Sequence, residues 1–254
     1  MAANSKRPVR YDLKKQDRRR NLLIQLGLTA IVVVFAVGLV LYIVLSHDKK
    51  VAAGQAKAIR VTSSKLITKP GSSEPKAVLS MYEDFLCPHC GEFEKQFGAS
   101  ISQLIDTGAV AADYYMVGIL DSPRNNNYSS RAGAAAYCVA DVSTDAFRRF
   151  HAALFAMQPP ETSPSYPDNA RLIEVARQAG AAGSVSDCIN SGKYVPMVQG
   201  MAEATKITAT PTIKINGQDF PITQQTTPDV LVGKIKSIVG NVPGLDAPAP
   251  APAP

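Results

Sequence analysis

The sequence predicts an α/β fold in which a block of helices is inserted between the two halves of one sheet, with a single apolar segment ahead of it. Three observations predict this. Strand-like segments occupy residues 59–68, 76–85, 110–120 and 210–222. A mostly helical stretch of about residues 129–206 separates the third of these from the fourth. An apolar run of 24 residues begins at Leu22 and closes at Leu45, interrupted only by Gln25, Thr29 and two glycines.

The run comes first. At about 1.5 Å per residue it crosses a hydrocarbon core of about 30 Å with room for tilt. Residues 1–21 carry eight bases against Asp12 and Asp17, a net +6, which is the net charge of the whole chain. The basic balance therefore describes this tail, and a nucleic-acid role for the folded part is excluded. Bases crowding the N-terminal flank place residues 1–21 in the cytoplasm and the remainder outside. A cleaved signal peptide is the rival reading, but its apolar region is usually only about 7–15 residues long. His47 reads as an interfacial flank of the anchor.

Residues 46–57 form a polar linker. The strand at 59–68 is followed by a turn at Lys69-Pro70-Gly71-Ser72-Ser73, then by a buried strand at 76–85 bearing Ala77, Val78, Leu79, Met81 and Phe85. A helix follows, with Phe93, Phe97, Ile101, Leu104 and Ile105 at spacings of three and four and Gly108 suited to its end. The strand at 110–120 is rich in Val, Tyr and Met. Pro159-Pro160 and Pro164 break the helical block. Asn216-Gly217 is the preferred two-residue turn for a hairpin over 210–222. The last helix has Thr227 as N-cap, Pro228 in its first position and a stripe of Leu231, Ile235, Ile238 and Val239. Residues 242–254, rich in Pro and Ala, read as an extended tail.

The chemistry sits at a strand-to-helix junction, Cys87-Pro88-His89-Cys90. A sulfur attacks as thiolate, and a helix N-terminus offers it free N–H groups and the positive end of the dipole. Cys87 is placed to receive both. Cys90, one turn on, shares the apolar stripe and is in reach to close a disulfide. Pro88 suits the first helical position, where a missing N–H costs nothing. His89 is expected to bring a donor or a positive charge near the Cys87 sulfur. Stabilising the thiolate stabilises the reduced form, so the disulfide becomes an oxidant. A structural disulfide is the bland alternative. Zinc lacks a second pair at ligand spacing, and a c-type haem needs a His where Gly91 stands.

Phe85-Leu86-Cys87-Pro88-His89-Cys90 after an apolar strand, with Thr210-Pro211-Thr212 far downstream, resembles the DsbA-like thiol–disulfide oxidoreductases of the thioredoxin fold. The likeness covers residues 58–241, with the helical insertion at about 125–206. Anchor and Pro/Ala tail resemble the membrane-tethered mycobacterial and actinobacterial form. The resemblance implies a cis peptide bond before Pro211, exposing the Thr210 backbone to an extended substrate strand. It implies an acid ahead of the pair that shuttles the Cys90 proton. Asp84 aligns best with it, Glu83 is adjacent, and only one of the two is expected to point inward; the rival reading is that both are solvated or pair with a base such as Lys95. It implies exported protein substrates, a membrane reoxidising enzyme of the DsbB or vitamin-K-epoxide-reductase type, and no cofactor or metal.

The leading expectation is an oxidase that introduces disulfides into exported proteins. A reductase or isomerase would use the same pair, and a binding module would carry it incidentally. Cys138 and Cys188 remain. An unpaired thiol is undesirable outside the cell, so a structural disulfide joining them is expected, free buried thiols being the rival. His151, between Phe150 and Phe155, reads as a partly buried structural histidine. The sequon at Asn127-Tyr128-Ser129 is too short to inform.

Overall fold

The computed structural model describes residue 24, residues 26–40 and residues 56–245. The chain divides into two compact units, residues 1–48 and residues 49–254. In the first, residues 24 and 26–40 are helical and their apolar side chains are exposed, Ile31, Val34 and Phe35 among them. Among the described residues no helix is long and apolar enough to cross a membrane. The expected span from Leu22 to Leu45 lies partly outside those residues, as does most of the linker. The basic tail and residues 246–254 lie wholly outside.

The second unit is built on a five-stranded sheet in the order β1-β3-β2-β4-β5. The strands are β1 (Ile59–Val61), β2 (Val78–Glu83), β3 (Ala111–Met116), β4 (Thr212–Ile215) and β5 (Gln218–Asp219). β2 and β3 run parallel, with Val78 opposite Ala111 and Glu83 opposite Met116, and the other pairs are antiparallel. A parallel pair needs a crossover. Helix α1 (Pro88–Asp106) supplies it and buries the predicted stripe of Phe93, Phe97, Ile101, Leu104 and Ile105. The helix ends in a left-handed glycine. Gly108 has φ 78, its N–H reaches Ile105 O at 2.9 Å, and the Ala109 N–H reaches Leu104 O at 2.9 Å. Both bonds engage carbonyls of the last helical turn.

Five helices stand between β3 and β4: α2 (Tyr128–Ala140), α3 (Thr144–Ala156), α4 (Asn169–Gln178), α5 (Val185–Ser191) and α6 (Val195–Thr205). Ser143 and Asp168 cap α3 and α4 by accepting from the N–H groups of Ala146 and Arg171. α2 is itself made largely of small residues and is buried on nearly every side. At Gly133 an added Cβ would sit 2.9 Å from Val198 Cγ1 and 3.0 Å from Met116 Cβ, so only glycine fits between β3 and α6. Asn216 (φ 48) and Gly217 (φ 80) turn β4 into β5, both left-handed as a type I′ turn requires. The last helix, α7 (Pro228–Val239), begins after Thr227 with Pro228 in its first turn and contacts α1.

The strands expected over 76–85, 110–120 and 210–222 are shorter, at Val78–Glu83, Ala111–Met116 and the pair Thr212–Ile215 and Gln218–Asp219, and two further expectations on extent differ from the structure. The strand expected over 59–68 is only three residues long, because past Val61 the chain turns away from β3. Ile67 N–H then bonds Gly108 O, and Thr68 bridges Pro75. The tail expected from Val242 packs as far as Leu245. Val242 and Leu245 are buried, and the Gln103 side-chain amide donates to Gly244 O at 2.6 Å.

Candidate active site

Cys87 is the N-cap of α1, with extended backbone (φ −73, ψ 117) and Pro88 in the first turn. No side chain caps this end, and no acid lies in its first turn to compete for the free N–H groups. They face the Cys87 sulfur instead. The Cys90 thiol hydrogen bond, the Thr210 side chain and the backbone N–H groups of Cys90 and His89 together lower the Cys87 thiol from 9.0 to about 5, against burial, which raises it. When protonated, the Cys87 thiol donates to Thr210 O at 3.4 Å. The Thr210–Pro211 bond is cis. Cys90 is wholly buried, and its thiol is pushed far above the usual range by desolvation first, then by Cys87 and Glu83. Both thiols are free. The two sulfurs thus have opposite characters, Cys87 ionised and Cys90 protonated.

The His89 imidazole does not lie at the sulfur as expected. It is exposed on α1, with Nδ1 3.7 Å from Glu92 Oε2, because position i+3 on the same helical face holds an acid. The contribution of His89 to the thiolate is its backbone N–H.

Of Glu83 and Asp84, only one was expected to point inward. Both are buried, at 0 % exposure, Glu83 as the last residue of the central strand β2 and Asp84 in the loop that follows it. Asp84 holds the loop ahead of the pair. Its Oδ1 accepts from Leu86 N–H and its Oδ2 from Leu120 N–H, each at 2.9 Å, and Cys87 N–H bonds its carbonyl at 3.0 Å. Burial raises its carboxyl to about 6 despite those donors. Glu83 faces the other way, toward Cys90, Glu94 and His151.

His151 is fully buried rather than partly so. Its Nε2 is 3.0 Å from Glu83 Oε2 and its Nδ1 3.8 Å from Glu94 Oε2. Phe85, Tyr114, Phe147 and Phe155 enclose the ring. Burial lowers its pKa. Burial raises both Glu83 and Glu94 to about 8. Glu94 and His151 line a cleft of about 760 Å³ between α1 and α3, together with Tyr114, Arg148 and Phe155. Glu94 was not singled out in the sequence, yet it stands four residues after Cys90, on the buried side of the helix. The Gln158 side chain crosses the mouth of this cleft and donates to Phe85 O and Cys87 O at 3.1 and 2.8 Å. Away from the pair, Cys138 on α2 is bonded to Cys188 on α5, with an S–S distance of 2.00 Å and a sequence separation of 50.

The thioredoxin family model matches residues 67–237. A crystal structure of DsbA from Mycobacterium tuberculosis in reduced form is 61% identical, with a TM-score of 0.73, over 75% of this chain and 96% of that one. The reduced disulfide bond oxidoreductase DsbG of the same organism is 62% identical, with a TM-score of 0.73, over 78% and 95%. The thiol-disulfide oxidoreductase MdbA of Corynebacterium diphtheriae, at 22% identity and a TM-score of 0.54 over 72% and 98%, shares the fold. The serine/threonine-protein kinase PknE of M. tuberculosis is 32% identical over 136 residues, which are 52% of this chain and 24% of the kinase. The chain therefore spans about a quarter of the length of the curated relatives it matches.

Proposed function

The chain belongs to the thioredoxin family as a DsbA-like thiol–disulfide oxidoreductase, and from that premise we propose that it works as an oxidase, introducing disulfides into exported proteins through Cys87 and Cys90. The observation that carries this reading is the asymmetry of the pair. A Cys87 thiol held at about 5 makes the reduced enzyme stable and the Cys87–Cys90 disulfide an oxidant. In the cycle, a substrate thiolate attacks Cys87 Sγ and the Cys87–Cys90 bond breaks. Cys90 leaves and takes up a proton. A second substrate thiolate then attacks the substrate sulfur of the mixed disulfide, a substrate disulfide forms, and Cys87 departs as a stabilised thiolate. The half-buried cis turn at Thr210–Pro211 is the place for an extended substrate strand, with the exposed Pro88 at the entrance. His89 stands exposed beside it, and the buried acid Glu83 serves Cys90 while Asp84 holds the loop.

The location belongs to the same reading. Residues 22–45 anchor the chain in the membrane as a single pass, residues 1–21 are cytoplasmic, and the catalytic unit lies outside. The exposed apolar side chains of residues 26–40 and the Cys138–Cys188 disulfide, of a kind that persists in oxidising compartments, support it. A quinone-linked membrane enzyme of the DsbB or vitamin-K-epoxide-reductase type then takes the electrons and restores the disulfide. The test is to mix the oxidised full chain with a reduced, unfolded two-thiol protein and to measure the enzyme's potential against glutathione. Stoichiometric substrate disulfide and a potential near about −120 mV are expected; a potential near about −270 mV moves the protein to the reductases.

A further inference from the structure

We propose that Glu83, Glu94 and His151 hold a divalent transition-metal cation such as zinc at the floor of the cleft between α1 and α3. The proposal goes beyond thiol–disulfide exchange and does not depend on it. The three side chains come from three elements, Glu83 from the end of β2, Glu94 from α1 and His151 from α3. No local spacing in the sequence announces them. One ligand atom from each lies within 4.8 Å of the other two. Bonds of about 2.0–2.1 Å in a tetrahedral site set ligand atoms about 3.4 Å apart, so these side chains close onto an ion with shifts on the order of 1 Å. His151 Nε2 is already 3.0 Å from Glu83 Oε2, and its Nδ1 is 3.8 Å from Glu94 Oε2.

Two carboxyls that meet away from water need positive charge between them, as a proton or as a cation. Glu83 and Glu94 meet in this way, each acting on the other. Glu83 is wholly buried, and only 12% of the Glu94 side chain is exposed. Glu83 Oε1 and Glu94 Oε1 are buried and receive no hydrogen bond, so each carboxylate keeps an oxygen free for an ion. A cluster built for structure alone would be expected to satisfy them. The groups around the three side chains do not supply the charge. Arg148 of α3 is held by Asp106 at 2.7 Å, and the Tyr114 hydroxyl of β3 and the Cys87 sulfur bring none. One imidazole and two carboxylates suit a first-row divalent ion better than calcium, which takes six to eight oxygens. Three protein ligands leave a fourth position open. Glu94 and His151 line the cleft, which gives water that position and the ion its way in. Bound there, the ion ties β2 and α1 to α3 of the inserted helices. In the metal-free chain a proton takes its place.

The test uses the full chain in detergent, stripped with a chelator and carrying Cys87→Ser and Cys90→Ser, so that no thiol pair competes for the metal. Zinc is titrated in a calorimeter, and melting is followed with and without it. One equivalent is expected to bind, with a melting temperature that climbs as zinc exceeds its dissociation constant. Glu83→Gln, Glu94→Gln and His151→Gln, added singly, should each weaken binding by at least about 10–100-fold and remove the climb, while still melting cooperatively without zinc. X-ray absorption at the zinc edge of the loaded chain reads the ligands without those variants. It should show imidazole and oxygen at about 2.0–2.1 Å and no sulfur at about 2.3 Å. No uptake of zinc overturns the site and leaves a shared proton between the carboxyls. Binding that all three Gln variants leave unchanged, or a spectrum without imidazole, places the ion elsewhere and overturns it too. So does zinc that the wild type binds and the serine chain does not, which puts the metal on the cysteine pair.

Discussion

Changing the pH should bend the reduction potential of the Cys87–Cys90 pair at about pH 5. Reducing the disulfide takes two electrons and as many protons as the two sulfurs hold afterwards. Below about 5 both sulfurs are protonated, so the potential falls by about 59 mV per pH unit. Above about 5 Cys87 stays a thiolate and only Cys90 takes a proton, so the slope halves to about 30 mV per unit. The sign follows from the direction of the shift. The folded Cys87 thiol lies below its ordinary 9.0, so the reduced form gains stability as pH rises from about 5 toward 9. At pH 7 the gain is about two units, or roughly 2.7 kcal/mol. That places the pair about 60 mV more oxidising than one with unperturbed thiols. Little discount for solvent is due, since Cys87 is only 6% exposed. The assay equilibrates the full chain in glutathione buffers between about pH 4 and 8 and counts alkylated thiols. A slope of about 59 mV per unit across the whole range would refute the account, because Cys87 would then be an ordinary thiol.

The Cys90 thiol is the largest single cause of the lowered Cys87 pKa, so Cys90→Ala should move the thiolate absorbance titration of Cys87 upward from about 5; an unmoved titration would assign the effect to the helix end alone. The carboxyls of Glu83 and Glu94 lie near 8 rather than 4.5, so the folded chain holds protons that the unfolded chain has shed between those values. Thermal stability should therefore fall as pH rises through that window, and Glu83→Gln should flatten the fall in a calorimetric series. Replacing Cys138 and Cys188 by Ser opens a loop of 50 residues and should lower unfolding stability by roughly 4 kcal/mol on the chain-entropy view, read as an earlier urea midpoint with Cys87 reactivity retained. Gly133→Val should destabilise by about 1–3 kcal/mol, because Val198 and Met116 already occupy the space its side chain needs; an unchanged melting temperature would show that α6 can move aside.

Local features were legible where one residue type has one physical use. The stripe from Phe93 to Ile105, the Asn216-Gly217 turn and the Cys-x-x-Cys at a strand–helix junction needed no distant partner to be read. The first strand was read too long because its apolar residues continue past Val61, while its pairing with β3 does not. The acid beside Cys90 was harder. Alternation along a strand puts one of Glu83 and Asp84 inside only if both lie on it, and Asp84 lies past its end, in a loop where it is buried as well. His151 was visible as a residue of a helix with aromatic neighbours, but its partner is 68 residues away, and nothing local announces that pairing. Glu94 carried a signal that went unused. It lies at i+4 from Cys90, a position from which a charged side chain turns into the protein rather than out to solvent.

The bridge between Cys138 and Cys188 has a consequence for how a population of this enzyme begins. Each new copy emerges with four thiols, which can pair in three ways, and one of those ways gives the native set of a stable 138–188 link and a free-to-cycle 87–90 pair. Closing the first link removes two electrons that some oxidant must accept. On the oxidase reading proposed above, the oxidised form of an older copy would be such an acceptor, and a newborn copy would be among the clients of its predecessors. Supply of active enzyme would then depend on how much is already present.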